Sequence, residues 1–218
     1  MKIMEVRDLP VAGVKVVHYA RFPDERGYFT ETFRREEIAE AIAAPFDVAQ
    51  ANESRSKAGV VRGLHFQWSP WQGKLVRPIE GRLIDLALDI RIGSPTFGKI
   101  VGRDMVAGRD LDEGEWIWLP PGMAHGAVFP GDGVIEYLCT SAWSPGNEAS
   151  ISPLADDIDW SLCEPDLAAE VRDLLATSAM MNPKDRNGYT LASWRETADA
   201  ARFTWAPGEP YDIREEQS

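Results

Sequence analysis

Three histidines, His18, His65 and His125, are the first candidates for proton transfer near neutral pH, because imidazole is the side chain whose unperturbed titration falls there. His65 stands in Val61-Arg62-Gly63-Leu64-His65-Phe66-Gln67. Strand alternation places Gly63, His65 and Gln67 on one face and Val60, Leu64 and Phe66 on the other. Gln50-Ala51-Asn52 is again polar at alternate positions. Polar residues repeated along one strand face mark either a solvated surface or the lined interior of a barrel. His125 follows Pro120-Pro121-Gly122-Met123-Ala124, a turn that feeds it into a strand. His18 lies in an apolar run without polar company and reads as structural. Tyr137 alternates with Ile135 and Cys139; it is either a buried strand aromatic or an acid, since a phenol holds its proton at neutral pH. Asp185 in isolation reads as a turn aspartate. Arg26, Arg62 and Lys74 sit beside turns or polar faces. If they converge, they match a diphosphate, whose oxygens take full charge and forked N–H donors.

Such a cluster has to be local, because the formal net charge is −12. That balance disfavours nucleic acid and anionic membrane surfaces as partners. The two cysteines, Cys139 and Cys163, form no CxxC pair and no disulfide framework. Reduced thiols and a cytoplasmic location are expected. Met1 to Pro10 carries charges and no long apolar run, so no signal peptide is expected. No stretch approaches the ~20 apolar residues of a membrane helix.

The elements that must position these residues read mainly as β. Hydrophobic residues make up 44% and charged residues 27% of the 218 residues, enough apolar material for one domain with a real core. Val14 and Val16 flank Lys15 in a strand-like run, and Tyr28 to Phe33 follows the turn Asp24-Glu25-Arg26-Gly27. Arg34 to Ala44, with Ile38 and Ile42 four apart, predicts a short helix. Val60-Val61, Leu75 to Ile79, Arg82 to Ile90, Gly98 to Val106, Glu115 to Leu119, Gly126 to Phe129 and Val134 to Thr140 are strand-like, separated by Gly- and Pro-bearing turns. Short strands at roughly 8–12-residue spacing indicate a sandwich or barrel. Beyond Trp160 the pattern changes. Pro165 to Ser178 places Leu167, Val171, Leu174 and Leu175 on one helical face. Pro183 to Gly188 reads as a polar loop, Thr190 to Arg202 as a second helix, and Pro207 to Ser218 as polar with a loose end. A single domain is expected over 1–218, a barrel over about 1–160 with a helical segment, about 161–218, packed on it.

Taken together these segments resemble the dTDP-4-dehydrorhamnose 3,5-epimerase family. The matching stretches are Asp24-Glu25-Arg26-Gly27-Tyr28-Phe29-x-Glu31, Gln50-x-Asn52-x-Ser54, Arg62-Gly63-Leu64-His65-Phe66-Gln67 and Gln72-Gly73-Lys74-Leu75-Val76-Arg77. Further on come Asp89-Ile90-Arg91-x-x-Ser94-Pro95-Thr96-Phe97-Gly98, Pro120-x-Gly122-x-Ala124-His125-Gly126 and Tyr137-x-x-Thr140. The resemblance runs from about Phe22 to Trp160. It implies a cupin-like jelly-roll barrel, a homodimer, no metal, no organic cofactor, and a thymidine diphosphate 4-keto-6-deoxy sugar as substrate. By the same resemblance His65 looks like the general base, Tyr137 the opposing acid, Lys74 the cation near the C4 oxygen, and Asp185 the carboxylate partner of His65. Arg26, Glu31, Gln50, Asn52, Arg62, His125, Trp143 and Glu148 look like substrate contacts.

The residue types suit that chemistry. A C4 ketone acidifies the hydrogens on C3 and C5; a base removes one, a cation steadies the enolate, and an acid on the other face returns a proton with inverted configuration. Metal-binding cupins present a His-x-His pair and a later His, whereas this chain offers His65 and Gln67 before His125. A three-nitrogen metal site lacks a ligand here. The chain also lacks a Gly-rich dinucleotide signature. It departs from the family pattern at Leu138, where Lys is common, at Trp143, where Tyr is, and at Ala127, where Phe is. These changes alter the pocket wall and leave open a single-centre epimerase of another nucleotide keto sugar. A metal-dependent cupin enzyme and a non-catalytic sugar-nucleotide binding module are the readings from other classes; keeping both His65 and Tyr137 speaks against the last.

Overall fold

Thirteen strands form among residues 1–108, 112–209, 211 and 213, the residues that the computed structural model describes. In chain order they begin with β1 (Ile3–Asp8), β2 (Lys15–Ala20), β3 (Phe22–Asp24) and β4 (Gly27–Phe29), followed by the helix α1 (Arg35–Ile42). Next come β5 (Gln50–Ser56), β6 (Val60–Gln67), β7 (Lys74–Glu80), β8 (Arg82–Asp89) and β9 (Ile100–Val106). The barrel closes with β10 (Glu113–Leu119), β11 (Met123–Phe129), β12 (Gly133–Cys139) and β13 (Glu148–Ser150). The helices α2 (Pro165–Thr177), α3 (Pro183–Arg186) and α4 (Leu191–Arg195) complete the chain order. One antiparallel sheet runs β1-β2-β10-β7-β12-β5 and the other β13-β6-β11-β8-β9, with β3 and β4 forming a separate hairpin. Neighbours in space are mostly distant in sequence, as in a jelly roll.

Alternation along β8 shows how the layers are built. Leu83 and Ala87 point between the sheets and meet Val76, Ile117 and Phe129. Ile84, Leu86 and Leu88 point outward and meet Val171, Leu191, Trp194 and Phe203 of the C-terminal segment. Each such fully buried aliphatic side chain contributes about 1.5–3 kcal/mol, so this outer cluster holds the C-terminal segment to the barrel. A fork from Arg82 to Asp104 and both oxygens of Glu170 fixes α2 over β8 and β9 at 2.6–2.8 Å. On the other sheet, Ile38 and Ile42 of α1 cover Tyr19, Leu75, Trp116 and Trp118.

The helical expectations need three corrections. The first helix ends at Ile42 because Ala43 turns left-handed at φ 56°. The stretch expected as a polar loop contains α3, whose start Asn182 caps by accepting the Asp185 N–H at 2.7 Å. The expected helix Thr190 to Arg202 is two pieces, α4 and a 3-10 turn over Ala198–Arg202, because Thr197 recaps the chain by accepting from the Ala200 N–H. The loose end expected at 214–218 lies outside the described residues. Among the described residues no helix is long and apolar enough to cross a membrane.

One matched motif builds the fold. The Asp89 carboxylate accepts from Arg91, Ser94 and Thr96, and Asp89 and Arg91 are both fully buried. That network closes the turn between β8 and β9.

Candidate active site

The site starts from an irregularity in β6. Arg62 pairs with Ala127 and His65 with His125, so three steps on β6 match two on β11. Gly63 is the extra residue, a β-bulge. In an unbroken strand two residues three apart, as Arg62 and His65 are, would face opposite ways; the extra residue lets both face the space between the sheets, where Ala127 lies. The expected grouping of Gly63 with His65 and Gln67 on one face therefore fails at Gly63. Only glycine fits there: φ is +104°, and a Cβ would stand 2.3 Å from the His125 carbonyl oxygen.

The bulge has a second effect. The Gly63 N–H donates at 2.9 Å to Asp185 Oδ2, while Asp185 Oδ1 lies 2.6 Å from His65 Nε2. Asp185 is 1% exposed and the His65 side chain 35% exposed. Burial alone pushes the Asp185 carboxyl up, but the His65 hydrogen bond and charge, the Gly63 amide and Asn182 together hold it below the ordinary carboxylate value. An ionised Asp185 accepts a hydrogen bond from the Nε2–H of His65 and leaves the lone pair on Nδ1. His65 is thus a half-open imidazole oriented by a buried carboxylate, the arrangement of a general base.

The facing sheet supplies Tyr137, Lys74 and Cys139. Tyr137 sits opposite Val76 and Asn52 in register, and Lys74 opposite Cys139. Burial raises the Tyr137 phenol above its ordinary value, Cys139 adds to the rise and Arg62 opposes it. Burial lowers the Lys74 ammonium, opposed by Cys139, Asp85 and Glu148. Gln50 donates to Asn52 at 2.8 Å and accepts from the Trp143 N–H at 2.8 Å. Arg62 is held by Ser56 Oγ at 2.9 Å and by the Arg55 carbonyl. Glu148, opposite Gln67 on β13, accepts from Lys184. Burial pushes the Glu148 carboxyl up; hydrogen bonds from Lys184 and Trp143 and the charges of Lys184 and His65 outweigh it and bring it below its usual value. A cleft of about 700 Å³, lined among others by Ser150, Tyr189 and Trp194, adjoins this rim through Glu148 and Lys184.

His125, Gln50, Asn52, Arg62, Trp143 and Glu148 thus gather around His65, Tyr137, Lys74 and Asp185. Arg26 and Glu31 do not join them. Arg26 pairs with Asp24 in the exposed β3–β4 hairpin, its side chain 83% exposed, and Glu31 binds Arg34 and the N-terminal amine. His18 is buried, as expected of a structural residue, but has company: Glu113 lies 3.3 Å from its Nδ1. Sequence reasoning missed Asp85, whose Oδ2 lies 2.7 Å from His125 Nε2. The signal was present, a lone carboxylate inside the apolar run Leu83-Ile84-Asp85-Leu86-Ala87-Leu88. Among the described residues no three His, Cys, Asp or Glu side chains are grouped to hold a metal ion.

Comparison with known proteins adds four findings. The family model described as dTDP-4-dehydrorhamnose 3,5-epimerase matches residues 8–193. A dTDP-4-dehydrorhamnose 3,5-epimerase of Neisseria gonorrhoeae is 37% identical over 196 residues, 89% of this chain and 55% of that protein, so the chain spans about half the length of this relative. The structure of a dTDP-6-deoxy-D-glucose-3,5-epimerase from Legionella pneumophila, in complex with dTDP-4-keto-L-rhamnose, is 32% identical with a TM-score of 0.73, covering 86% of this chain and 93% of that one. The 3'-monoepimerase ChmJ of Streptomyces bikiniensis, in complex with dTDP-quinovose, is 30% identical with a TM-score of 0.72, covering 86% and 88%.

Proposed function

The chain belongs to the dTDP-4-dehydrorhamnose 3,5-epimerase family, and from that premise we propose that it is a cofactor-independent epimerase of a nucleotide-diphosphate 4-keto-6-deoxy sugar, inverting C3, C5 or both. The observation that carries the reading is His65 of one sheet held at 2.6 Å by Asp185 of α3, with Tyr137 and Lys74 on the inner side of the facing sheet. His65 Nδ1 takes the proton from a carbon beside the ketone. The electron pair of that C–H bond becomes the enolate double bond, and the ketone π pair moves to O4, where Lys74 faces the new charge. Tyr137 O–H returns a proton to carbon from the opposite face, and the enolate collapses to the ketone. Solvent then takes the proton from the imidazolium and reprotonates the phenolate, restoring both groups. Arg62 binds the diphosphate; Gln50, Asn52, His125, Trp143 and Glu148 border the sugar and nucleoside.

Arg26 and Glu31 enter this scheme through a second copy of the chain. The hairpin that carries Arg26 and runs on to Glu31 presents Phe22, Tyr28 and Phe29, the last 72% exposed, and none of the three belongs to a core cluster of the described residues. A homodimer that buries this hairpin brings Arg26 to the partner's diphosphate. A single-centre reaction is the second reading. Ala127 is buried on the inner face where the family commonly has Phe, and ChmJ is named as a 3'-monoepimerase. Proton NMR of dTDP-4-keto-6-deoxyglucose with enzyme in deuterium oxide tests both. Deuterium entering at C3, C5 or both is the expected result, and the faster centre identifies the reaction. Absence of exchange at either carbon, in a series of nucleotide 4-keto sugars given to cooperatively folded dimer, sinks the proposal.

A further inference from the structure

Asp85 is a fully buried carboxylate on β8, between Leu83 and Ala87 of the inter-sheet core. Burying such a group is costly unless it is matched by donors and charge. Oδ2 has His125 Nε2 at 2.7 Å. Oδ1 is buried and meets no hydrogen-bond donor among the described residues. Three cationic or ionisable groups bear on Asp85: His125 of β11 by a hydrogen bond, Arg103 of β9 as its register partner, and Lys74 of β7 through its charge. Arg103 is committed to Glu115 at 2.6 and 3.0 Å. That leaves Lys74, which has no carboxylate within 4 Å among the described residues. The groups whose charge bears on it are Cys139, Asp85 and Glu148, and Glu148 is already bound by Lys184.

The problem this arrangement solves is chemical. Burial favours a neutral amine, and a neutral Lys74 gives a developing enolate no counter-charge. We propose that Asp85 is a positioning residue that keeps Lys74 an ammonium and holds His125 with its proton on Nε2. One oxygen fixes the imidazole; the other meets no donor among the described residues, which leaves its charge to be balanced by nearby cations. Burial pushes the Asp85 carboxyl above its ordinary value, and the His125 charge and hydrogen bond and the Lys74 charge oppose that rise. The inference rests on the reading that Lys74 meets the C4 oxygen of the substrate.

The test replaces the charge at nearly constant shape. In ligand-free Asp85→Asn enzyme, the carbon-13 signal of Lys74 Cε, identified by its absence in Lys74→Arg, should titrate at least about 1 pH unit below its wild-type midpoint. Solvent exchange of the keto sugar should slow about 100-fold at saturation, with KM changed less than about threefold. The alkaline limb of its pH profile should move down with the Lys74 midpoint. Asp85→Glu keeps the charge and should keep the wild-type midpoint, which decides the question where the Asn variant does not fold. Identical Lys74 titration in wild type and Asp85→Asn overturns the proposal, as does a midpoint that drops in Asp85→Glu. The titration needs no substrate. A wild-type enzyme that exchanges no proton therefore counts against the epimerase reading and leaves this result standing.

Discussion

His65–Asp185 and His125–Asp85 are the same chemical pair at nearly the same separation, 2.6 and 2.7 Å, with both carboxylates essentially excluded from solvent. Their carboxyls nevertheless shift in opposite directions, Asp185 below and Asp85 above the ordinary value. The difference lies in depth and in donors, since Asp85 is the more deeply desolvated of the two. Asp185 is held at both oxygens, by an imidazole and by the Gly63 amide, and Asn182 adds a third contact. Asp85 is held at one oxygen. Deeper burial with fewer hydrogen bonds separates the two: Asp185 is a settled anion that orients a half-open base, and Asp85 is a carboxyl whose charge depends on nearby cations.

The largest effect that tests this contrast is loss of the base. His65→Ala should slow solvent exchange of the keto sugar about 10³- to 10⁴-fold, the scale of a lost general base, with the melting transition preserved. An equal loss of exchange from His125→Ala at unchanged KM would erase the distinction between the two pairs. Asp185→Asn should cost less, about 100-fold, because the imidazole remains but loses its orienting carboxylate.

The pairs also carry opposite pH signs. Asp185 is lowered in the folded protein, so its contribution to stability is full above the unfolded value and is lost as pH falls through the folded one. Asp85 is raised, so the folded state binds its proton more readily, and stability falls as pH climbs from the unfolded value to the folded one. Melting temperature against pH should therefore flatten on the acid side in Asp185→Asn and rise less steeply toward acid in Asp85→Asn. Shifts of the same sign in both variants would break the comparison. The smallest effect concerns the amide that settles Asp185. Gly63→Ala should cost about 1–3 kcal/mol of stability, the usual penalty for overpacking a close contact, read as a lowered midpoint in urea. Gly131→Ala, where a Cβ meets nothing within 4 Å, is the matched control and should be neutral.

Much of this was legible in the sequence where one local rule sufficed. Strand alternation and turn residues located the barrel strands from β6 to β12, and the apolar stripe of Pro165 to Ser178 located α2. The motif around His65, Lys74 and Tyr137 identified side chains that the fold brings to facing sheets. What alternation misses is a break in alternation: the bulge at Gly63 shows only in the register against β11. Asp85 escaped because a charge in an apolar run has no partner in one dimension. The split of the last helix depended on Thr197 recapping the chain, a competition between side chain and backbone that composition does not rank. Arg26 and Glu31 matched the motif by type, yet a single copy of the chain pairs Arg26 with Asp24 on an exposed hairpin and Glu31 with Arg34 and the N-terminal amine.

The bulge also sets a condition on length as distinct from identity. In β6 the residues on either side of Gly63 already alternate correctly: Arg62 inward, Leu64 outward, His65 inward. A chain with Gly63 excised would keep all three orientations and every side chain of the site. What it would lose is one backbone amide, set free from the sheet ladder and spent on Asp185. Relatives or designed variants that align perfectly at Arg62 and His65 but carry a one-residue gap between them would pass any inventory of functional side chains. They would still present a histidine whose carboxylate has lost its second anchor, so the gap, more than any substitution nearby, is what should be inspected when activity is transferred from one such sequence to another.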